Sequence, residues 1–254
     1  MTTLVLLSGW GIDARIWQPL APHWPADISV SAPDWPGYGG CAPLDAPGSL
    51  SDLAAAMADT LREDAIWVGW SLGALLAASL LEHLPPPRAL LMLGMGERFI
   101  STVPGGVTPH ELAAFRRAFA REPARAWRHF LRWQLSGELD PRDAYRRLDD
   151  LLDGAASKPD ALPANEATLA AGLEQLATLD AGRRLAHPPC PILRLRGGDD
   201  PLIAPADGGE HAILAGAGHC PQLSMPAALA RLLGRLARDP APVSSTVQES
   251  DDGR

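Results

Sequence analysis

Six short apolar runs punctuate the chain, and each is followed by a loop rich in glycine, proline or polar residues. They are Leu4-Val-Leu-Leu7, Ile28-Ser-Val-Ser31, Ala65-Ile-Trp-Val68, Arg88 to Leu93, Pro191-Ile-Leu-Arg-Leu195 and His211-Ala-Ile-Leu214. Their length and lack of alternation predict strands buried on both faces. Between the first four runs, apolar residues recur at helical spacing. Ile16, Trp17, Leu20 and Trp24 share one face of a predicted helix, with Asp13 positioned as its cap. Ser51 is positioned to cap a helix running to about Arg62, and Ala74 to Leu84 reads as an apolar helix stopped by Pro85-Pro86-Pro87. Ser224 with Pro226 opens a last helix, from about Pro226 to Ala237. Strands alternating with helices predict an α/β fold, a mostly parallel sheet with helices on both faces. Ligands of such sheets bind beyond the carboxyl ends of the strands.

The pattern changes after Leu93. From Glu97 to about Leu185 no strand is predicted, and Glu111 to Trp133, Pro141 to Leu152 and Asn165 to Leu176 read as helices. This is the pattern of a helical cap inserted into a sheet domain. The expected organisation is residues 1–96 as the first part of the core, 97–185 as the cap, and 186–238 as the second part. Residues 239–254 are polar and aperiodic, as expected for a disordered tail.

The chemistry is concentrated at Gly69-Trp70-Ser71-Leu72-Gly73, between a predicted strand and a predicted helix. G-x-S-x-G in that context is the pattern of a nucleophile elbow: a strained turn lifts the serine clear of the sheet, and the new helix aims its N–H groups at the same spot. The bland alternative is an ordinary strand–turn–helix link with a solvated serine. A serine hydroxyl needs a base and the base needs an orienting acid, which in this architecture follow in the order Ser, Asp or Glu, His. His219 follows the last predicted strand in a glycine-flanked loop, and Asp200 follows the fifth, with Asp199 as the fallback. The N–H groups of Leu72 and of Trp10, in the loop after the first strand, are the expected oxyanion donors.

Bulk properties narrow the alternatives. A net charge of −8 over 254 residues argues against a general nucleic-acid binder. No apolar run approaches a membrane span and the N-terminus lacks a basic signal region, so a cytoplasmic protein is expected. The three cysteines, Cys41, Cys190 and Cys220, are scattered, and neither a disulfide framework nor a metal site is expected. Charge is unevenly placed. Between Phe115 and Arg147 nine arginines face four acids, so this stretch carries five net positive charges and the remainder of the chain thirteen negative. A basic lid on an acidic body suggests an electrostatically steered acidic partner. Arg125, Arg128, Arg142 and Arg146 are the expected docking set, with Arg142 and Arg146 one helical turn apart.

Taken together, Leu6-Leu-Ser-Gly-Trp-Gly11, Asp34-Trp-Pro-Gly-Tyr-Gly39, Ala65-Ile-Trp-Val-Gly-Trp-Ser-Leu-Gly73, Phe130-Leu-Arg-Trp-Gln134, Gly172-Leu-Glu-Gln-Leu176 and Leu193 through Pro205 resemble the α/β-hydrolase superfamily. Within it they resemble the pimeloyl-acyl-carrier-protein methyl ester esterases of biotin synthesis. The resemblance runs over nearly the whole chain. It implies an α/β-hydrolase fold with a catalytic Ser71, Asp200 and His219. It also implies that Trp10 and Leu72 contact the substrate carbonyl, and that Phe130, Leu131, Arg132, Trp133 and Gln134 line an acyl pocket. It further implies no cofactor and an acyl carrier protein bearing the substrate as partner; a monomer is expected. Two departures stand out: Ser8 occupies a position where many family members have histidine, and the usual N-terminal hairpin ahead of Leu4 is missing. The rival readings are a general hydrolase of short esters, thioesters or carbon–carbon bonds, and a non-catalytic binding protein on the same fold.

Overall fold

Each of the six apolar runs forms a strand in the computed structural model, which describes residues 1–204 and 212–240. The strands are β1 (Thr2–Leu7), β2 (Ile28–Ser31), β3 (Ile66–Trp70), β4 (Ala89–Leu93), β5 (Ile192–Gly197) and β6 (Ala212–Leu214). They make one sheet in the order β2-β1-β3-β4-β5-β6. Every pairing is parallel, so among the described residues the sheet is wholly rather than mostly parallel. All five residues of β3 and of β4 are buried. This is why those runs lack alternation: each side chain has a helix or loop over it. His211, residues 205–211 of the β5–β6 link and residues 241–254 of the expected disordered tail lie outside the described residues.

The strand order explains where a site can form. The chain leaves β1 for β2 on one side, then crosses back to β3 on the other. The loops after β1 and β3 therefore diverge, and the crevice between them is the switch point of the sheet.

The helices depart from expectation in informative ways. Ala14–His23 is a 3-10 helix rather than an α-helix. Pro19 and Pro22 sit inside it and cannot supply the N–H groups an α-helix needs. Its apolar face nevertheless buries Ile16, Trp17 and Leu20, and Asp13 caps it by accepting the N–H of Arg15. Helix α1 (Leu50–Met57) is capped by Ser49, not Ser51, and ends well before Arg62. Ser49 is still extended and so can reach back to the N–H of Asp52, 3.2 Å away, whereas Ser51 is already helical. Helix α2 (Leu72–Leu80) begins directly after Ser71, two residues earlier than expected.

All the helices α3 (Pro109–Arg121), α4 (Pro123–Gln134), α5 (Pro141–Leu151), α6 (Glu166–Thr178) and α7 (Gly182–Ala186) fall between β4 and β5. The stretch expected as one helix from Glu111 to Trp133 is two, because Glu122, held before Pro123, leaves the helical region at φ −143° and ψ 73°. Polar caps set three of the starts. Thr108 and Glu111 form a reciprocal capping box, Asp140 accepts the N–H groups of Arg142 and Asp143, and Asn165 accepts that of Thr168. Beyond β6, α8 (Pro221–Ser224) and α9 (Pro226–Arg238) complete the chain. Ser224 closes α8 instead of opening α9, whose first residue is preceded by Met225. No helix among the described residues is long and apolar enough to cross a membrane.

Candidate active site

Ser71 ends β3 and precedes α2 with φ 54° and ψ −128°. Among the described residues only Ser71 and Asp153 combine a side chain with a positive φ. That geometry costs about 1–3 kcal/mol and persists only where the surroundings impose it. Here they do so through close contacts. A Cβ on Gly69 would stand 2.4 Å from Cα of Ala74, and one on Gly73 would stand 2.4 Å from the Ser8 carbonyl oxygen. Strand, helix and the loop after β1 thus meet at distances only glycine allows. The Ser71 N–H still donates to the Leu93 carbonyl at 2.9 Å, tying the turn to β4.

The loop after β1 crosses this turn, and aromatic groups hold it. The Trp35 indole N–H donates to the Ser8 carbonyl at 2.8 Å, the Gly11 N–H donates to the Tyr38 hydroxyl at 3.2 Å, and the Trp127 indole N–H donates to the Gly11 carbonyl at 2.8 Å. Burial pushes the Tyr38 phenol far above its usual range, so it stays a neutral hydroxyl. At Ser8, which stands where many family members have histidine, support comes from Trp35 to the backbone, and the Ser8 hydroxyl is buried without a partner among the described residues. Asp34 accepts the Ala14 N–H at 2.7 Å, and burial raises its carboxyl above the ordinary value.

Asp200 and His219 meet in the interior. Nδ1 of His219 lies 2.8 Å from Oδ2 of Asp200, and both side chains are fully covered. Oδ1 of Asp200 accepts the Leu202 N–H at 2.9 Å, so the carboxylate is aimed from both sides. A carboxylate only accepts, which places the ring hydrogen on Nδ1 and the free lone pair on Nε2. Nε2 is buried and has no hydrogen-bond partner among the described residues. Asp199, the fallback, is exposed. The elbow side of the site touches the same histidine: the Trp70 ring centroid is 5.5 Å from that of His219, and the Trp70 indole N–H donates to the His219 carbonyl at 2.8 Å.

Trp10 carries the roof. Its indole N–H donates to the Leu169 carbonyl in α6 at 2.8 Å, and its ring takes Phe115, Phe119 and Phe130 edge-on at 5.7, 5.8 and 5.0 Å. Trp10 and Leu72 converge on Gly172 of α6, where an added Cβ would be 2.7 and 3.2 Å from their side chains. The expected pocket residues separate. Phe130 and Leu131 are buried, Trp133 is half-buried and edge-on to Phe130, and Gln134 is buried with its amide nitrogen unpartnered among the described residues. Arg132 turns to solvent with its guanidinium 5.0 Å over the Tyr145 ring, so it does not join the Trp10 cluster. Five consecutive helical residues step through about 100° each and cannot share one face.

Of the four expected docking arginines, Arg125, Arg142 and Arg146 are exposed and Arg128 is half-buried, and they differ in what they hold. Arg125 pairs with Glu122 at 3.2 Å, Arg146 pairs with Asp143, and Arg128 donates to the Lys158 and Pro159 carbonyls. No ion pair is formed by Arg142 among the described residues. Among those residues, too, no group of three or more His, Cys, Asp or Glu side chains is placed to hold a metal ion.

A model described as the alpha/beta hydrolase family matches residues 4–232. The chain belongs to the α/β-hydrolase family. It is similar to a pimeloyl-[acyl-carrier protein] methyl ester esterase of Vibrio vulnificus, 32% identical over 202 residues that span 79% of this chain and 76% of that protein. A protein of the same description from Sodalis glossinidius is 31% identical and spans 88% of each chain. Among solved structures, an esterase from Exiguobacterium antarcticum superposes with a TM-score of 0.76 over 94% of this chain and 92% of that one. At 15% identity this likeness speaks for the fold alone.

Sequence reasoning missed Glu138, which is buried and reaches the loop carrying His219. In the sequence it is one acid in a polar turn between helices and counted only toward the charge balance. It also missed Trp35, Tyr38 and Trp127 as supports of the Ser8–Gly11 loop. Their aromatic spacing reads as core, and the polar end of each ring has no sequence signature.

Proposed function

We propose that this member of the family is a serine carboxylesterase that hydrolyses the methyl ester of a pimeloyl group carried on acyl carrier protein. The observation that carries the proposal is the buried 2.8 Å pair of Asp200 and His219, next to an elbow whose serine is held at positive φ. Its relatives at 31–32% identity bear that substrate in their descriptions. In the reaction, Nε2 of His219 takes the Ser71 proton as the oxygen attacks the ester carbonyl. Asp200 holds the ring in the required tautomer and offsets the imidazolium charge. The N–H groups of Trp10 and Leu72 receive the oxyanion, at the start of α2 where the helix end favours negative charge. Methanol departs with the proton from His219. Water, activated by the same imidazole, then releases the free carboxylate. No cofactor enters.

Residues 97–185 act in this scheme as a cap over the core formed by 1–96 and 186–238. Phe130, Leu131, Trp133 and Gln134 supply the acyl-facing side of that cap. Arg125, Arg128, Arg142 and Arg146 face the acidic carrier protein. The enzyme works in the cytoplasm as a monomer. The test is rescue of a biotin auxotroph that lacks its own esterase. Growth with the wild-type chain and none with Ser71→Ala is the expected result. No growth from a folded protein that still cleaves short p-nitrophenyl esters would assign it to general ester hydrolysis instead.

A further inference from the structure

Glu138 lies in the short link between α4 and α5, well away in sequence from the loop it touches. It is only 4% exposed. Its Oε1 accepts the Cys220 N–H at 2.7 Å and its Oε2 accepts the Gly218 N–H at 3.2 Å. These are the two residues flanking His219, so one carboxylate grips the backbone on both sides of the histidine. The neighbouring residue meets the other half of the pair. A Cβ on Gly137 would stand 1.9 Å from the Asp199 carbonyl oxygen, and one on Gly218 would stand 2.7 Å from the Gly137 carbonyl carbon. The Gly137–Glu138 link is therefore wedged between the loop that ends in Asp200 and the loop that holds His219.

An acid in this place needs a reason. A buried carboxylate is costly to desolvate, and a glutamate that served packing alone would be replaced at no loss by an apolar residue. Hydrogen bonds to an anion are stronger than those to a neutral acceptor, and two of them fix the loop in two places at once. Burial first, then the charges of Glu138 and Asp200, push the Cys220 thiol well above its usual range, so both carboxylates act on the residue next to His219.

We propose that Glu138 is a positioning residue: it anchors the His219 loop to the helical insertion, so that the proton-relaying ring is set by a residue of the insertion as well as by Asp200. The kinetic test rests on the esterase reading above. Glu138→Gln keeps the shape, removes the anion and leaves one of the two N–H groups without an acceptor. Turnover of p-nitrophenyl acetate is measured per site that a fluorophosphonate can label, together with the pH profile of kcat/KM. Among the described residues Asp200 pairs with the His219 ring, while Glu138 holds the backbone on either side of it and the Cys220 thiol is the next side chain along. With one of the two anions gone, the imidazolium is less favoured and the acidic limb of the profile moves to lower pH.

The expected result is a fall in kcat of about ten- to a hundred-fold with KM nearly unchanged, and that displaced limb. Unchanged kcat per labelled site with an unmoved limb, whatever the melting temperature, overturns the proposal. Should E138Q not fold, Glu138→Asp is used: it keeps the charge but shortens the reach, and is expected to hold the limb in place while lowering kcat. Wild-type kcat in E138D overturns the proposal equally. A wild-type chain that neither turns over ester nor takes the label removes the esterase reading itself, an outcome distinct from either variant result.

Discussion

The Trp70 indole donates its N–H to the His219 carbonyl at 2.8 Å across 149 residues of sequence. The residue before the candidate nucleophile thus holds the backbone of the candidate base, and the elbow is tied directly to the histidine loop. Trp70→Phe keeps the ring and removes the donor, leaving a buried carbonyl unpaired at a cost of about 1–3 kcal/mol. We expect a lower melting temperature and a kcat on small esters reduced more than KM is raised. A variant with lower stability but wild-type kcat would show that the bond serves folding alone.

Ser71 separates activity from stability. Both Ser71→Ala and Ser71→Gly should lose ester turnover and fluorophosphonate labelling. Their stabilities should differ in the unusual direction. Alanine keeps the strain of φ 54°, whereas glycine adopts it freely. S71G should therefore be more stable than S71A by about 1 kcal/mol in urea unfolding. Equal stabilities would mean that the turn carries no strain.

The cap arginines are not equivalent, and charge reversal should rank them. Arg142 has no acidic partner among the described residues, while Arg125 is already paired with Glu122 at the start of α4 and Arg146 with Asp143 within α5. Arg142→Glu is expected to lower kcat/KM for a carrier-protein substrate by about tenfold at low salt, and less at high salt, with p-nitrophenyl acetate unaffected. Arg128→Ala should instead lower stability, because it releases the carbonyls of Lys158 and Pro159. Equal losses on both substrates for Arg142→Glu would remove carrier docking from that surface.

Acid should reveal the clasp that joins α9 to the start of β2. Arg238 donates to both oxygens of Asp27, at 2.7 and 2.6 Å. That hydrogen-bonded pairing holds the carboxyl at about 2 instead of 3.8. A depressed value means that the stabilisation is complete above the ordinary carboxylate range and is lost as pH falls from about 4 through 2. Wild type should melt slightly above Asp27→Asn at pH 7, with the gap closing by pH 2. Because the pair is exposed, the gap should be small and should shrink with salt. A gap that persists at pH 2 would assign the difference to something other than charge.

Much of the fold was legible because it depends on short-range pattern. The six apolar runs name the six strands, and G-x-S-x-G between strand and helix names the elbow. Ser49, Pro19 and Pro123 show the limit of that reading. Which serine caps a helix, and whether a proline turns a segment 3-10 or divides a helix, depends on backbone angles and N–H groups at one residue rather than on the periodicity of ten. The same limit applies to Phe130 through Gln134, where a run read as one pocket wall is split by helical rotation between the Trp10 cluster and solvent.

The sequence by itself determined the six strands and their alternation with helices, the location of a candidate nucleophile and the short list that contained Asp200 and His219. These follow from local propensity, spacing and the chemistry of each residue type. Only the tertiary structure decided that Asp200 rather than Asp199 reaches the ring, that Trp70 holds the His219 backbone, and that Glu138 closes on the same loop from 80 and 82 residues away. Each of these is a meeting of side chain and backbone far apart in the chain. Burial makes an unpaired polar group costly, and it is the packed interior, not the sequence spacing, that selects which partner each group finds.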